Sequence, residues 1–186
     1  MSYTAFDRAV AWFRFRAALP HVRPQARVCD IGCGLGARFL HTGRARIGLG
    51  VGIDDQVHGV PTGRFAVRGD ITGGLPFKGE QFDHAVLLAV LEHLTHPEPL
   101  LADAYRILVP GGSLIMTWPE ALIDPALHLL HVVGLISKEM ESDEHQSRIP
   151  LPKLLSILAG IGFTNPLHRK FEFGLNNLLV CHKPRR

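Results

Sequence analysis

Apolar residues recur at helical spacing at Phe6, Val10, Phe13 and Ala17 with arginines between them, so residues 6–19 predict an amphipathic helix ended by Pro20. The pattern then shortens. Residues 27–31 form a brief apolar run holding one acid, Asp30, which leads into Gly32-Cys33-Gly34-Leu35-Gly36 and a helix over 37–42. Residues 49–53 and 64–68 predict two further strands, the first closed by Asp54-Asp55 and the second by Gly69-Asp70. Residues 82–88 are almost continuously apolar, as in a parallel strand buried on both faces. A helix over 97–108 follows, with Pro110-Gly111-Gly112 as its stop before a strand over 113–117. The tail predicts a helix over 152–159, a stop at Gly160-Ile161-Gly162-Phe163, and two strands, 167–173 and 178–182, turned at Gly174 into a hairpin.

Strands alternating with helices predict an α/β domain, a doubly wound Rossmann-like sheet that is mostly parallel and carries a C-terminal antiparallel hairpin. No repeat or linker divides it, so 1–186 reads as one domain, with 120–149 as a cap inserted after the fifth strand. Within that insertion the stretch 122–136 is apolar on several helical faces and needs a cover: the domain itself, a second copy in a homodimer, a lipidic substrate or a membrane surface.

Composition changes this picture little. With 46% hydrophobic and 20% charged residues in 186, the chain is an ordinary globular one, which excludes disordered and collagenous classes. The net charge of +3 is spread along the chain, so a nucleic-acid partner is not expected. Cys29, Cys33 and Cys181 lack metal or disulfide spacing, which fits a reducing cytoplasm and gives no metal site. Asp7, Arg8, Arg14 and Arg16 interrupt any signal-peptide core, and the apolar stretch 125–137 is too short to span a bilayer, so stable membrane insertion is not expected.

In such a sheet ligands bind outside the carboxyl ends of the strands, where the glycines and acids of this sequence fall. Gly32, Gly34 and Gly36 let a ligand approach the backbone, and Asp30, Asp54 and Asp70 come from three successive strand ends. Two ligands compete. Gly32-x-Gly34-x-x-Ala37 with Asp54 about 20 residues on satisfies a dinucleotide fingerprint. Asp30 opposes it, because a pyrophosphate would meet a carboxylate; a ligand bearing an ammonium and a sulfonium would not.

These residues resemble the class I S-adenosylmethionine (SAM) dependent methyltransferases of the small-molecule type. Residues 28–36 are similar to that family's first motif, Gly52-Ile53-Asp54 to its second, and Gly69-Asp70-Ile71 to its third. Leu75-Pro76-Phe77, Phe82-Asp83, Leu91-Glu92-His93-Leu94, residues 108–112 and residues 159–163 follow in the family's order. The resemblance implies that the loop 32–36, Cys33 included, carries the methionine half of the cofactor SAM, with Asp30 reaching its amine. It further implies that Asp54 accepts the ribose hydroxyls, Asp70 the adenine amino group, the Ile71 N–H a ring nitrogen, and the Leu88 carbonyl the ammonium. One departure from the pattern is a short crossover from Asp54 to Asp70, containing Gly59, Pro61 and Gly63, with room for no more than a turn of helix; it leaves the contribution of Val57 open.

Signatures for acting on DNA bases, arginine side chains or metal-chelated catechols are absent, which leaves a small organic acceptor, at oxygen by elimination. His145 and His93, with Glu92, are the candidate proton acceptors, His145 preferred for its position on the cap. Two other functions stay open: a SAM-binding regulatory module that methylates nothing, and a nicotinamide-dependent oxidoreductase.

Overall fold

The computed structural model describes residues 5–120 and 149–185. Seven strands form one sheet in the order β3-β2-β1-β4-β5-β7-β6. Strands β1 (Ala26–Ile31), β2 (Ile47–Asp54), β3 (Phe65–Arg68), β4 (Phe82–Leu88) and β5 (Leu108–Pro119) pair in parallel, while β7 (Asn176–His182) joins β5 antiparallel and carries β6 (Thr164–Phe171) outside it. The chain leaves β1 toward β2 and β3 on one side and returns to β4 and β5 on the other. The carboxyl ends of β1 and β4 therefore flank the switch point where doubly wound sheets bind ligands.

Helices cover both faces. Helices α3 (Glu98–Ile107) and α4 (Leu151–Ile161) bury Leu101, Ile107, Leu154 and Leu158 against Leu87, Leu114 and Met116. On the opposite face, α1 (Ala5–Ala18) and α2 (Arg38–Thr42) set Ala18, Phe39 and Leu40 against Val28, Val86, Ile115 and Val180. The apolar run in β4 is buried because helices lie on both its sides, as its composition requires. Gly162, at φ 113°, ends α4 in the left-handed region that a side chain would resist, and the Phe163 N–H closes back on the Leu158 carbonyl at 2.9 Å.

Two local expectations meet the structure differently. No helix bridges Asp54 and Phe65: the crossover is the loop 55–64, as its length and glycines predict. The Pro110-Gly111-Gly112 stop is corrected. Helix α3 ends at Ile107 and β5 begins at the next residue, so the stop lies within the strand. Phe82 pairs with Leu108 and His84 with Ser113, which forces residues 109–112 out of the ladder. Pro110 has no N–H to give and Gly111 sits at φ 76°, so the interruption is a bulge, held by the Gly111 N–H on the Lys183 carbonyl at 3.0 Å.

Candidate functional site

Asp30, one residue from the end of β1, is 2% exposed, and its Oδ2 has no hydrogen-bond partner among the described residues. Burial, with Asp54 nearby, pushes its carboxyl up to about 7. A buried carboxylate oxygen without a donor is costly, on the order of 1–3 kcal/mol or more for a charged group, so this residue is built to meet one. A cationic amine suits it; a pyrophosphate does not.

The loop after β1 is shaped by backbone geometry. Gly32 has φ 72°, and a Cβ there would meet the Val90 side chain at 2.5 Å. Gly34, at φ 63° and ψ −170°, occupies a region open essentially to glycine alone. Its N–H donates to Asp54 Oδ2 at 2.9 Å, and Asp54 Oδ1 accepts the Gln56 N–H at 2.9 Å. A carboxylate has about four acceptor positions, so Asp54 keeps two for a ligand. Gly36 donates to the His58 carbonyl at 3.0 Å, so the crossover loop clamps the glycine loop from its far side.

Cys33 is a packing residue. A Cβ on Gly52 would lie 2.6 Å from its Sγ, and burial together with Asp30 and Asp54 pushes its thiol far up, away from nucleophilic use. Asp70 lies two residues beyond β3, exposed, and its two carboxylate oxygens accept the Thr72 hydroxyl at 2.8 and 2.7 Å, with the Thr72 N–H also on Oδ1. Those bonds hold its carboxyl below the ordinary range and fix its direction. Ile71 follows, half-buried. At the end of β4, Leu88 is half-buried and the next residue, Ala89, takes φ 60°, which turns the chain sharply out of the sheet.

His93 closes a 3₁₀ turn (Leu91–His93) beyond β4 and is exposed. His145 and nearly all of the 120–149 insertion lie outside the described residues. Asp83, at the opposite edge, is a structural clamp: it accepts the Arg27 N–H at 2.8 Å and pairs with the Arg27 and Arg23 side chains.

Two residues at the carboxyl edge escaped the sequence reading. Arg14 on α1 donates to Asn176 Oδ1 at 3.3 Å, and burial draws its pKa down against the pull of Glu92 and Glu172. Thr117, fully buried near the end of β5, has an Oγ1 without a hydrogen-bond partner among the described residues. Its only signal in the sequence is a hydroxyl closing an apolar run. Arg14 reads there as one of several arginines on an amphipathic helix, with nothing to single it out.

A family model described as "Methyltransferase domain" matches residues 29–116, which span β1 to β5. The demethylmenaquinone methyltransferase of Tropheryma whipplei is 25% identical over 91% of this chain and 80% of its own length. A ubiquinone/menaquinone biosynthesis C-methyltransferase of Ruegeria is also 25% identical, over 82% of this chain and 72% of its own length. Among solved structures, a SAM-dependent methyltransferase from Archaeoglobus fulgidus superposes with a TM-score of 0.73 at 17% identity, covering 95% of this chain and 94% of that one.

Proposed function

The chain belongs to the class I SAM-dependent methyltransferases, and from that premise we propose that it methylates a small aromatic acceptor of the quinol class. The observation that carries the acceptor class is the likeness to a demethylmenaquinone methyltransferase over 91% of the chain. Exposed aromatic side chains are consistent with it: Arg14 ties its turn of α1 to Asn176 at the carboxyl edge, where Trp12 and Phe13 are 44% and 46% exposed and Phe173 is fully exposed in the β6–β7 turn.

SAM supplies a methyl group already activated on a sulfonium. The chain's part is then to hold the two reactants in line, which is worth on the order of 7–11 kcal/mol when well achieved. In this reading Asp30 takes the ammonium with the oxygen that lacks a donor, and the Leu88 carbonyl takes it from β4. The loop of Gly32, Cys33 and Gly34 passes along the methionine half, and the two spare acceptor positions of Asp54 take the ribose hydroxyls. Asp70, its carboxylate aimed by Thr72, takes the adenine amino group, and the Ile71 N–H a ring nitrogen. The acceptor loses a proton as it gains the methyl group; His145 is assigned that proton, with His93 the second imidazole for the role.

Oxygen, reached by eliminating other acceptor signatures, is the first reading for the methylated atom. The relative named as a C-methyltransferase favours ring carbon as the second. The acceptor is a single small molecule, and nucleic acid has no part in this reading; a pairing of two copies over the stretch 122–136 stays a proposal of the sequence. The free thiols of Cys29, Cys33 and Cys181 agree with a cytoplasmic setting. No helix of the described residues is long and apolar enough to cross a membrane.

The test is turnover of SAM with a short-chain quinol kept reduced. One S-adenosylhomocysteine per methylated quinol is the expected result, and the carbon chemical shift of the new methyl separates oxygen from carbon. Turnover with amines or carboxylates but no quinol would overturn the acceptor class.

A further inference from the structure

At the opposite edge of the sheet, where β4 begins and β7 ends, lies a cavity of about 440 Å³. Its walls include His21, Arg23, His84, Ser113, His182 and Arg185. His84 is buried at 3% exposure, and both of its ring nitrogens are engaged. Nε2 accepts the Arg23 N–H at 3.0 Å, so the ring proton sits on Nδ1 and is donated to Ser113 Oγ at 2.7 Å. Ser113 therefore serves His84 as an acceptor and keeps its own hydroxyl proton to donate. It is 2% exposed and lines the cavity, so a hydroxyl donor is left at the cavity wall by a tautomer that the backbone fixes.

Cations outnumber carboxylates around this cavity. Arg23 and Arg185 line it, Arg169 Nη2 stands 3.2 Å from His21 Nε2, and Arg46 crosses the Val22 carbonyl behind His84. The carboxylates at this edge are already engaged: Asp83 by Arg27 and Arg23, and Glu80 by Lys183 at 3.7 Å. Two of the imidazoles, His21 and His84, are lowered by burial first and by neighbouring cations second. Burial and then Arg169 and His182 lower the pKa of His21, and burial and then Arg23 push that of His84 down to about 4, against Asp83. Among the described residues no group of His, Cys, Asp and Glu is placed to hold a metal ion, so the three imidazoles are not a metal site.

We propose that this cavity is a second ligand site, one that binds a small phosphate-bearing anion through Arg23, Arg185, His182 and the Ser113 hydroxyl. Guanidinium groups match phosphate oxygens in pairs, and a neutral hydroxyl donor completes the set. The volume lies within the range of sites for organic ligands, about 300–1,000 Å³, and exceeds what a bare phosphate needs. A sugar phosphate or a diphosphate fits that size. Along β4, Leu88 lies four residue steps from His84, about 13 Å at about 3.3 Å per residue, so this site and the cofactor edge can be filled together.

Calorimetry on the full chain saturated with S-adenosylhomocysteine tests this, titrating pyrophosphate, ribose 5-phosphate and inorganic phosphate in turn against sodium chloride of matched ionic strength. Saturable one-to-one binding of pyrophosphate or ribose 5-phosphate is expected, at least tenfold tighter than inorganic phosphate. The exposed pair of changes Arg185→Gln and His182→Gln should weaken it at least tenfold, with S-adenosylhomocysteine affinity unchanged as the check on folding. Heats no larger than those of chloride overturn the site. So does binding that survives both substitutions, and so does inorganic phosphate binding as tightly as the larger anions.

Discussion

Asp54 Oδ2 accepts the Gly34 N–H at 2.9 Å, so the acid at the end of β2 fixes the glycine loop that follows β1. The two residues are 20 apart in sequence and belong to different strands. A single carboxylate thus fixes the glycine loop, and in the proposed reading its remaining lone pairs are the ones that meet the ribose.

Asp54→Ala should therefore do more than remove ribose hydrogen bonds. It also frees the Gly34 amide and the turn at Gln56, at roughly 0.5–1.5 kcal/mol for each lost bond and more for a charged acceptor. SAM affinity should fall at least tenfold. Calorimetry showing wild-type affinity would remove Asp54 from the site.

Gly34→Val should abolish SAM binding and leave the sheet folded. The glycine sits at φ 63° and ψ −170°, which a β-branched residue cannot adopt without strain of about 1–3 kcal/mol. Circular dichroism checks the fold and calorimetry the binding; retained affinity would reduce the loop to a turn.

Asp30 gives a pH dependence with a definite sign. Its carboxyl titrates near 7 without ligand, and an ammonium favours the ionised form. SAM affinity should rise as pH increases toward and through about 7, and Asp30→Asn should flatten the profile while weakening binding at the upper end. A flat wild-type profile would mean that another group meets the amine.

His84 gives the second. Its pKa is depressed in the folded protein to about 4, so between that value and the ordinary 6.5 the unfolded chain binds the proton more readily. Its contribution to stability is complete above about 6.5 and is lost as pH falls toward about 4, on the order of 3 kcal/mol in all. Urea midpoints of wild type and His84→Gln should converge as the pH falls through that window; parallel curves would show the imidazole to be titrating freely.

The sequence made the strands of the parallel sheet legible because burial on both faces leaves long apolar runs, and β4 is the clearest case. It made the cluster at the carboxyl edge legible because the acids Asp30 and Asp54 at two strand ends and the glycine loop between them are unusual there. It misread residues 109–112, since Pro-Gly-Gly after a helix looks the same whether the ladder starts after it or closes around it; the deciding partner, Lys183, is about 70 residues away in sequence. Arg14 was hidden for the same reason, its partner Asn176 lying 162 residues along the chain.

Strand β7 sits between β5 and β6, yet its residues are synthesised only after those of all five parallel strands. Until they arrive, β5 has an open edge, and the faces of Leu114, Ile115 and Met116 lack the neighbours that Leu179, Val180 and Cys181 supply. A nascent chain can lay down β1 to β5 in parallel as it leaves the ribosome, but during that interval it displays an apolar strand edge able to recruit another chain. Chaperone occupancy should therefore peak after residue 119 emerges and fall once the β6–β7 hairpin docks.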